Sequence, residues 1–307
     1  MKTIDCHCHA FPPAVLRALE RSGKSFGAIP TSPWSELERL AEMDACEIDC
    51  EILSCPHVYA IEPALLADAC RATNDRFIEA SAAHPERFAC FAHLPLTDAE
   101  ASLDELRRTR SSPFVRGVAL PSNIHGRYLD EPEFESVWAE LARTGTPAFI
   151  HPVDSVCYMD HEPPTLLSWP FDTTLAVVRL ITRGLLDRYP GLILLISHLG
   201  GTLPFLGHRV DIGFAAKPSG WVCVDPPSTY LKKLYVDTAL GWSAAAFACA
   251  RAQFGIEHIL FGTDHFNPKL SHMRKMVDFF ATESFADGDV QRVLHANAEE
   301  TLALSPS

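Results

Sequence analysis

Short apolar runs that end in a polar or turn residue recur eight times along the chain, and stretches with helical spacing separate them. The runs predict strands at Lys2–His9, Glu51–Cys55, Phe88–Leu94, Val115–Leu120, Pro147–His151, Ile193–His198, Leu234–Asp237 and His258–Asp264. Helices are expected over Trp34–Ala45, Pro63–Ala83, Leu103–Thr109, Pro132–Thr144, Thr174–Tyr189, Ser243–Phe254, Leu270–Thr282 and Asp287–Leu304. Several strands, Leu192–Ser197 among them, are continuously hydrophobic, as parallel strands buried on both faces are. Eight strand–helix units in 307 residues predict an α/β fold, a single (β/α)8 TIM barrel filling one domain over 1–307, with a doubly wound sheet as the alternative. No Gly/Ser tract or short repeat divides the chain.

Two connections are too long and too rich in proline to be simple turns: Phe11–Pro33 after the first strand and Pro152–Pro170 after the fifth. Segments that follow a strand lie at its C-terminal end, where barrels place their active sites, so both are expected to line a substrate pocket. A third such segment, Lys217–Pro227, precedes a strand and suits an interface.

Composition narrows the function. Hydrophobic residues make up 47% and charged residues 21%, an ordinary globular balance. The formal charge of −13 repels phosphate backbones and anionic lipid, which argues against nucleic-acid and membrane-surface roles. No run approaches 18 apolar residues and the N-terminus shows no apolar signal core, so the expected location is the cytoplasm. The ten cysteines are scattered through strands and helices and read as reduced, mostly buried thiols.

The candidate chemistry sits at strand ends. In Asp5-Cys6-His7-Cys8-His9, strand alternation puts His7 and His9 on one face and both cysteines on the other, which in a barrel aims the histidines into the mouth and the cysteines toward the helices. His151 ends the fifth strand, His198 the sixth and Asp264 the eighth. The fold gathers these ends on one rim, where three imidazoles and a carboxylate suit zinc or another divalent transition ion. Among the remaining histidines, His93 and His125 are placed to face the pocket, and Phe11, His161 and Trp169 to line it from the loops. Surface or core positions are expected for His57, His84, His208, His258, His272 and His295. Asp237, ending the seventh strand, suits a carboxylate that orients a metal ligand.

The pattern resembles the amidohydrolase superfamily, and within it the branch of amino-carboxymuconate-semialdehyde decarboxylase and related aromatic-acid decarboxylases. The motifs that carry the resemblance are Asp5-x-His7-x-His9, Met43-Asp44, Ile52-Leu53-Ser54, Asn74-Asp75, Pro95-Leu96 and His151-Pro152. They continue through Pro170-Phe171-Asp172-Thr173-Thr174, His198-x-Gly200-Gly201-x-x-Pro204, Arg209, Asp237-Thr238 and Phe261-Gly262-Thr263-Asp264. The resemblance implies that His7, His9, His151 and Asp264 hold one metal ion, zinc first and manganese second, with no organic cofactor. It implies that His198 acts as acid/base, together with Asp264. It further implies that Arg209 binds a substrate carboxylate, reaching into the neighbouring site of a homodimer; an ordinary ion pair, for example with Asp211, is the other reading of Arg209. Binuclear relatives bridge their ions with a carboxylated lysine, and this chain has no lysine between Lys24 and Lys217. Two departures stand out: Ala28–Trp34 lacks the branch's second carboxylate-binding arginine, and His265 follows Asp264 where the family often has an aromatic residue.

The implied activity is non-oxidative decarboxylation of a small aromatic or unsaturated carboxylic acid. Hydrolysis of a lactone, amide or ester by metal-bound hydroxide uses the same residues and is the alternative, and a non-catalytic metal-binding barrel is a minor one. The net charge does not exclude an acid substrate, because a local cation reverses the field within a Debye length of about 8 Å.

Overall fold

The computed structural model describes residues 1–22, 33–153, 167–239, 242–266, 272–282 and 285–304. Its frame is an eight-stranded parallel sheet: β1 (Ile4–His9), β2 (Cys50–Ser54), β3 (Phe88–His93), β4 (Val115–Pro121), β5 (Ala148–His151), β6 (Leu194–Ile196), β7 (Tyr235–Asp237) and β8 (Ile259–Leu260), paired in chain order. The sheet closes on itself. Cys6 N–H donates to the Phe261 carbonyl at 2.9 Å, Asp264 N–H to the His7 carbonyl at 2.7 Å and His9 N–H to the His265 carbonyl at 2.7 Å. Closure selects the (β/α)8 barrel over the doubly wound sheet.

Side-chain alternation sorts each strand into two layers. Ala89, Phe91, Ala119, Phe149, Leu195 and Leu260 fill the barrel interior with Ile4, Cys6 and Ile52. Cys90, Ala92, Val118, Ala148, Ile150, Leu194, Ile196 and Val236 face the helices. In β5 the inward positions are Phe149 and then His151, so the imidazole stands one layer above the packed interior, at the C-terminal mouth.

The first strand departs from plain alternation. Asp5 pairs with Glu51 but Cys8 pairs with Leu53, so β1 carries one extra residue between the two pairs. This bulge corrects the expectation that both cysteines face the helices: Cys6 packs inside the barrel with Ile4, while Cys8 lies in the outer layer. All nine described cysteines are free thiols, as expected.

Helices differ from expectation in three places. The long connection after β1 contains a helix at Pro13–Arg21, opened by its proline. The helix expected from Thr174 starts earlier, at Ser168, and stops at Thr182. A helix at Leu203–Ala215 has no counterpart in the sequence reading, because Phe205 and Ile212 point to solvent and the apolar periodicity of a core-facing helix is absent. Most of Pro152–Pro170, His161 included, lies outside the described residues. No helix among the described residues is long and apolar enough to cross a membrane.

Candidate metal centre

The structure brings His7, His9, His151 and Asp264 together, with one ligand atom from each lying within 4.8 Å of all the others. His9 Nε2 stands 3.2 Å from both His7 Nε2 and His151 Nε2. Asp264 Oδ1 lies 3.3 Å from His7 Nε2 and 3.1 Å from His9 Nε2.

Hydrogen bonds behind the rings decide which nitrogens face inward. His7 Nδ1 donates to Asp237 Oδ2 at 2.9 Å. The Ser54 hydroxyl donates to the Cys8 carbonyl and so accepts from His9 Nδ1, also at 2.9 Å. Both rings therefore turn an Nε2 lone pair to the same point when neutral. Lone pairs 3.2 Å apart repel unless a proton or cation lies between them, and one proton cannot serve three imidazoles and a carboxylate. The donor set of three nitrogens and one oxygen fits a single divalent ion. No second cluster of this kind occurs among the described residues, and β2 to β6 contain no lysine.

The electrostatics agree with that fit. Burial works against a charge on His7, yet the Asp237 and Asp264 carboxylates raise it to about 10. Burial, with His7 beside it, lowers His9 to about 4 despite its bond to Asp264. His151 falls well below its usual value because it is buried among His9, His7 and His198. Partial burial would raise Asp264, but the charge on His7 and the bonds from His198, His7 and His9 hold it well below the carboxylate range. The site thus sets two near-neutral imidazoles, His9 and His151, and the ionised Asp264 around a place that favours positive charge.

His198 stands beside the cluster, its Nε2 3.4 Å from Asp264 Oδ2 and its ring centroid 5.0 Å from that of His7. Strand β6 ends two residues earlier, and His198 and Leu199 both adopt left-handed backbone (φ 58° and 52°), as Asp264 does (φ 56°). Such residues cost about 1–3 kcal/mol each and persist where packing over-determines them. Here Asp237 Oδ1 accepts from His198 N–H at 3.0 Å, and Gly201 N–H donates to the His198 carbonyl at 2.8 Å. The following Gly201 must be glycine: at φ 64°, a Cβ there would stand 2.3 Å from the Pro170 carbonyl oxygen.

Several of the motif residues support the site without entering it. Asp237 holds both His7 and His198, so one carboxylate sets two site residues. Asp5 accepts from the backbone of His7 and Thr263, joining β1 to the chain beyond β8. Asp172 accepts from Tyr128 and Asn123 and thereby pins a small hairpin (Asn123–Ile124 with Arg127–Tyr128) to the helix that carries Trp169. Gly262 leaves room for ligand His7 and its partner Asp237: a Cβ on it would meet His7 Cβ at 2.7 Å and Asp237 Cβ at 3.0 Å. Gly262→Ala is expected to displace both and weaken metal binding by about 10- to 100-fold, measured by titrating the metal-free protein.

Asn74 clamps the end of β3, accepting from His93 N–H and donating to the His93 carbonyl and to Glu105. Burial would raise Glu105, but Arg108 and Asn74 bind its carboxylate and lower it. A carboxyl lowered in the folded state stabilises above its unfolded value and loses that contribution as pH falls through the folded one. The melting-temperature gap between wild type and Glu105→Gln is therefore expected to be full at pH 7 and to shrink below about pH 4.

The other sequence candidates divide. Phe11 and Trp169 are buried beside the cluster: Trp169 lies 6.1 Å from the His151 ring, and both pack against His57, at 5.1 Å from Phe11 and 5.8 Å from Trp169. His57, expected in the surface or core, is buried and joins this aromatic wall, 6.2 Å from His9. Its position just after β2 was the available signal. His93 turns to Tyr59 and Phe77, accepting from Cys55 N–H, and so does not face the mouth. His125 is exposed at the tip of the hairpin. Arg209 is exposed on the Leu203–Ala215 helix and makes no ion pair among the described residues; Asp211 is engaged by Ser228 and His208.

The chain matches the family model described as Amidohydrolase over residues 4–304. It belongs to that family. Among curated relatives, 2-amino-3-carboxymuconate-6-semialdehyde decarboxylase of Dictyostelium discoideum is 29% identical, covering 99% of this chain and 85% of its own. Gamma-resorcylate decarboxylase of Rhizobium sp. (strain MTP-10005) is 30% identical, covering 91% and 93%. A solved 5-carboxyvanillate decarboxylase from Novosphingobium aromaticivorans, complexed with manganese and 4-hydroxy-3-methoxy-5-nitrobenzoic acid, shares the fold. Its TM-score is 0.85 at 21% identity, over 99% of this chain and 96% of that one.

Proposed function

We propose that this amidohydrolase-family protein is a metal-dependent carboxy-lyase that decarboxylates a small aromatic carboxylic acid without oxidation. The observation that carries the reading is the juxtaposition of a mononuclear three-histidine, one-aspartate cluster with His198, in a chain whose relatives include decarboxylases of such acids. His7, His9, His151 and Asp264 would hold the ion. When bound, it supplies a fixed positive charge that stabilises electron density building up on a substrate oxygen. Phe11, His57 and Trp169, inclined to one another and each buried, form an apolar wall against which an aromatic ring can pack. His198 holds a proton at Nε2, 3.4 Å from Asp264, and delivers it to the ring carbon that loses CO₂. That carbon gains a proton as its bond to the carboxylate breaks, so the reaction consumes one proton and needs no oxidant.

The three-nitrogen, one-oxygen set suits zinc, and the manganese of the 5-carboxyvanillate decarboxylase makes manganese the second metal to test. The test is incubation of protein reconstituted with each metal and a panel of hydroxybenzoic acids under anaerobic conditions. Release of CO₂ and the ring product, abolished by a chelator, is expected. Hydrolysis of lactones or esters with no acid decarboxylated would overturn the reading.

The protein is also proposed to act as a cytoplasmic homodimer. Phe205, Arg209 and Ile212 lie four and three residues apart, on one stripe of the Leu203–Ala215 helix, and Phe205 and Ile212 are 83% and 71% exposed. Val222 and Val224, in the proline-rich segment expected at an interface, are exposed as well. Burying such a stripe in a second copy would bring Arg209 with it, as a carboxylate-binding guanidinium needs. Light scattering should give twice the chain mass, and Phe205→Asp with Ile212→Asp should give monomers.

A further inference from the structure

Behind the metal cluster, between the barrel wall and the helix Glu36–Cys46, lies a layer of charged side chains. Arg39 is 3% exposed although it carries a permanent charge. Its guanidinium reaches three elements: Nη1 donates to Glu51 Oε2 on β2 at 3.0 Å, Nη2 donates to the His9 carbonyl at the end of β1 at 2.9 Å, and Nε faces Glu42 Oε2 at 3.4 Å. Glu42 Oε2 in turn lies 3.0 Å from Nε2 of His265, the residue where the family often has an aromatic. His265 follows ligand Asp264, and its carbonyl accepts from His9 N–H at 2.7 Å. Asp264 points into the mouth and His265 away from it, toward the helix.

This arrangement sits on the seam where the barrel closes. His7 and His9 come from β1 and Asp264 from just beyond β8, so the ligand set spans the junction of the first and last strands. Strand β8 is two residues long, and the chain after it is held to β1 by a handful of bonds. From the structure we infer that Arg39, with Glu42 and His265, is a positioning device for the metal centre. It locks the His9 main chain on one side of the seam and the segment carrying Asp264 on the other, from a helix that touches neither the ion nor the substrate. A guanidinium suits the task because its planar fork satisfies a carbonyl and two carboxylates at once and stays charged when buried. A hydrophobic residue at 39 would leave the Glu51 carboxylate buried without its cation, and at position 265 a phenylalanine could pack but could not bind Glu42.

The inference rests on reading the four-residue cluster as a metal site, and one titration series separates the two. Metal-free wild type, Arg39→Met, Arg39→Lys, Glu42→Gln and His265→Phe are titrated with Mn²⁺ and with Zn²⁺ by calorimetry, and the melting temperature of each metal-free protein is recorded. Arg39→Met is expected to bind the ion about 10- to 100-fold more weakly, and Glu42→Gln and His265→Phe about threefold or more. At saturating metal, kcat should fall while KM stays near wild type, and added guanidinium should restore part of the loss in Arg39→Met. If Arg39→Met does not fold, the other three variants decide. Metal affinity within twofold of wild type in all folded variants, with only the melting temperature lowered, would reduce the layer to a structural role and overturn the inference. Failure of wild type itself to bind an ion would instead overturn the metal-site reading.

Discussion

Asp264→Ala is expected to lose its metal and to reduce turnover by about 10⁴-fold, because charge stabilisation worth several kcal/mol disappears at about 1.4 kcal/mol per tenfold. The size follows from what the carboxylate touches. It meets His7, His9 and His198 within 3.4 Å, and it is the only anionic member of the set. Without it the remaining three imidazoles must share an ion with no compensating charge. Asp264→Asn keeps the shape and the left-handed backbone yet should fare little better, since an amide cannot neutralise a divalent cation. Metal analysis after gel filtration, alongside steady-state rates, checks both variants. Full metal content with a rate within tenfold of wild type would remove Asp264 from the ligand set.

The second large effect separates holding the ion from moving the proton. His198→Ala is expected to retain about one equivalent of metal while kcat drops by about 10³-fold, within the usual range for losing a positioned general acid. The side chain of His198 is not in the four-residue cluster, and its backbone bond to Asp237 survives truncation. If the variant loses its metal as well, His198 belongs with the ligands. If it keeps both metal and rate, the proton comes from elsewhere, Asp264 being the next candidate.

The site was legible in the sequence to the extent that barrel topology, rather than local detail, places it. His7, His9, His151 and Asp264 end strands or lie just beyond them, and closure of the sheet brings such ends together whatever the loops do. Asp237 could be suspected for the same reason. What alternation alone could not show is the extra residue in β1, which turns Cys6 inward while leaving both histidines at the mouth. Nor could it show that His198 and Asp264 sit beyond their strands in left-handed conformations, since neither residue type demands a positive φ. His57 and the Leu203–Ala215 helix were missed because both are specified by packing: one by rings arriving from distant segments, the other by a face turned to solvent. Arg39 was equally hidden, because nothing in a helix sequence marks which guanidinium will be buried against a strand end.

The most direct check on the metal centre is a crystal structure of the reconstituted protein with diffraction recorded on either side of the metal's absorption edge. One anomalous peak per chain is expected, enclosed by the Nε2 atoms of His7, His9 and His151 and the carboxylate of Asp264, with the His198 ring alongside. A peak bound by other residues, two peaks at the mouth, or four side chains turned away from any ion would contradict the assignment.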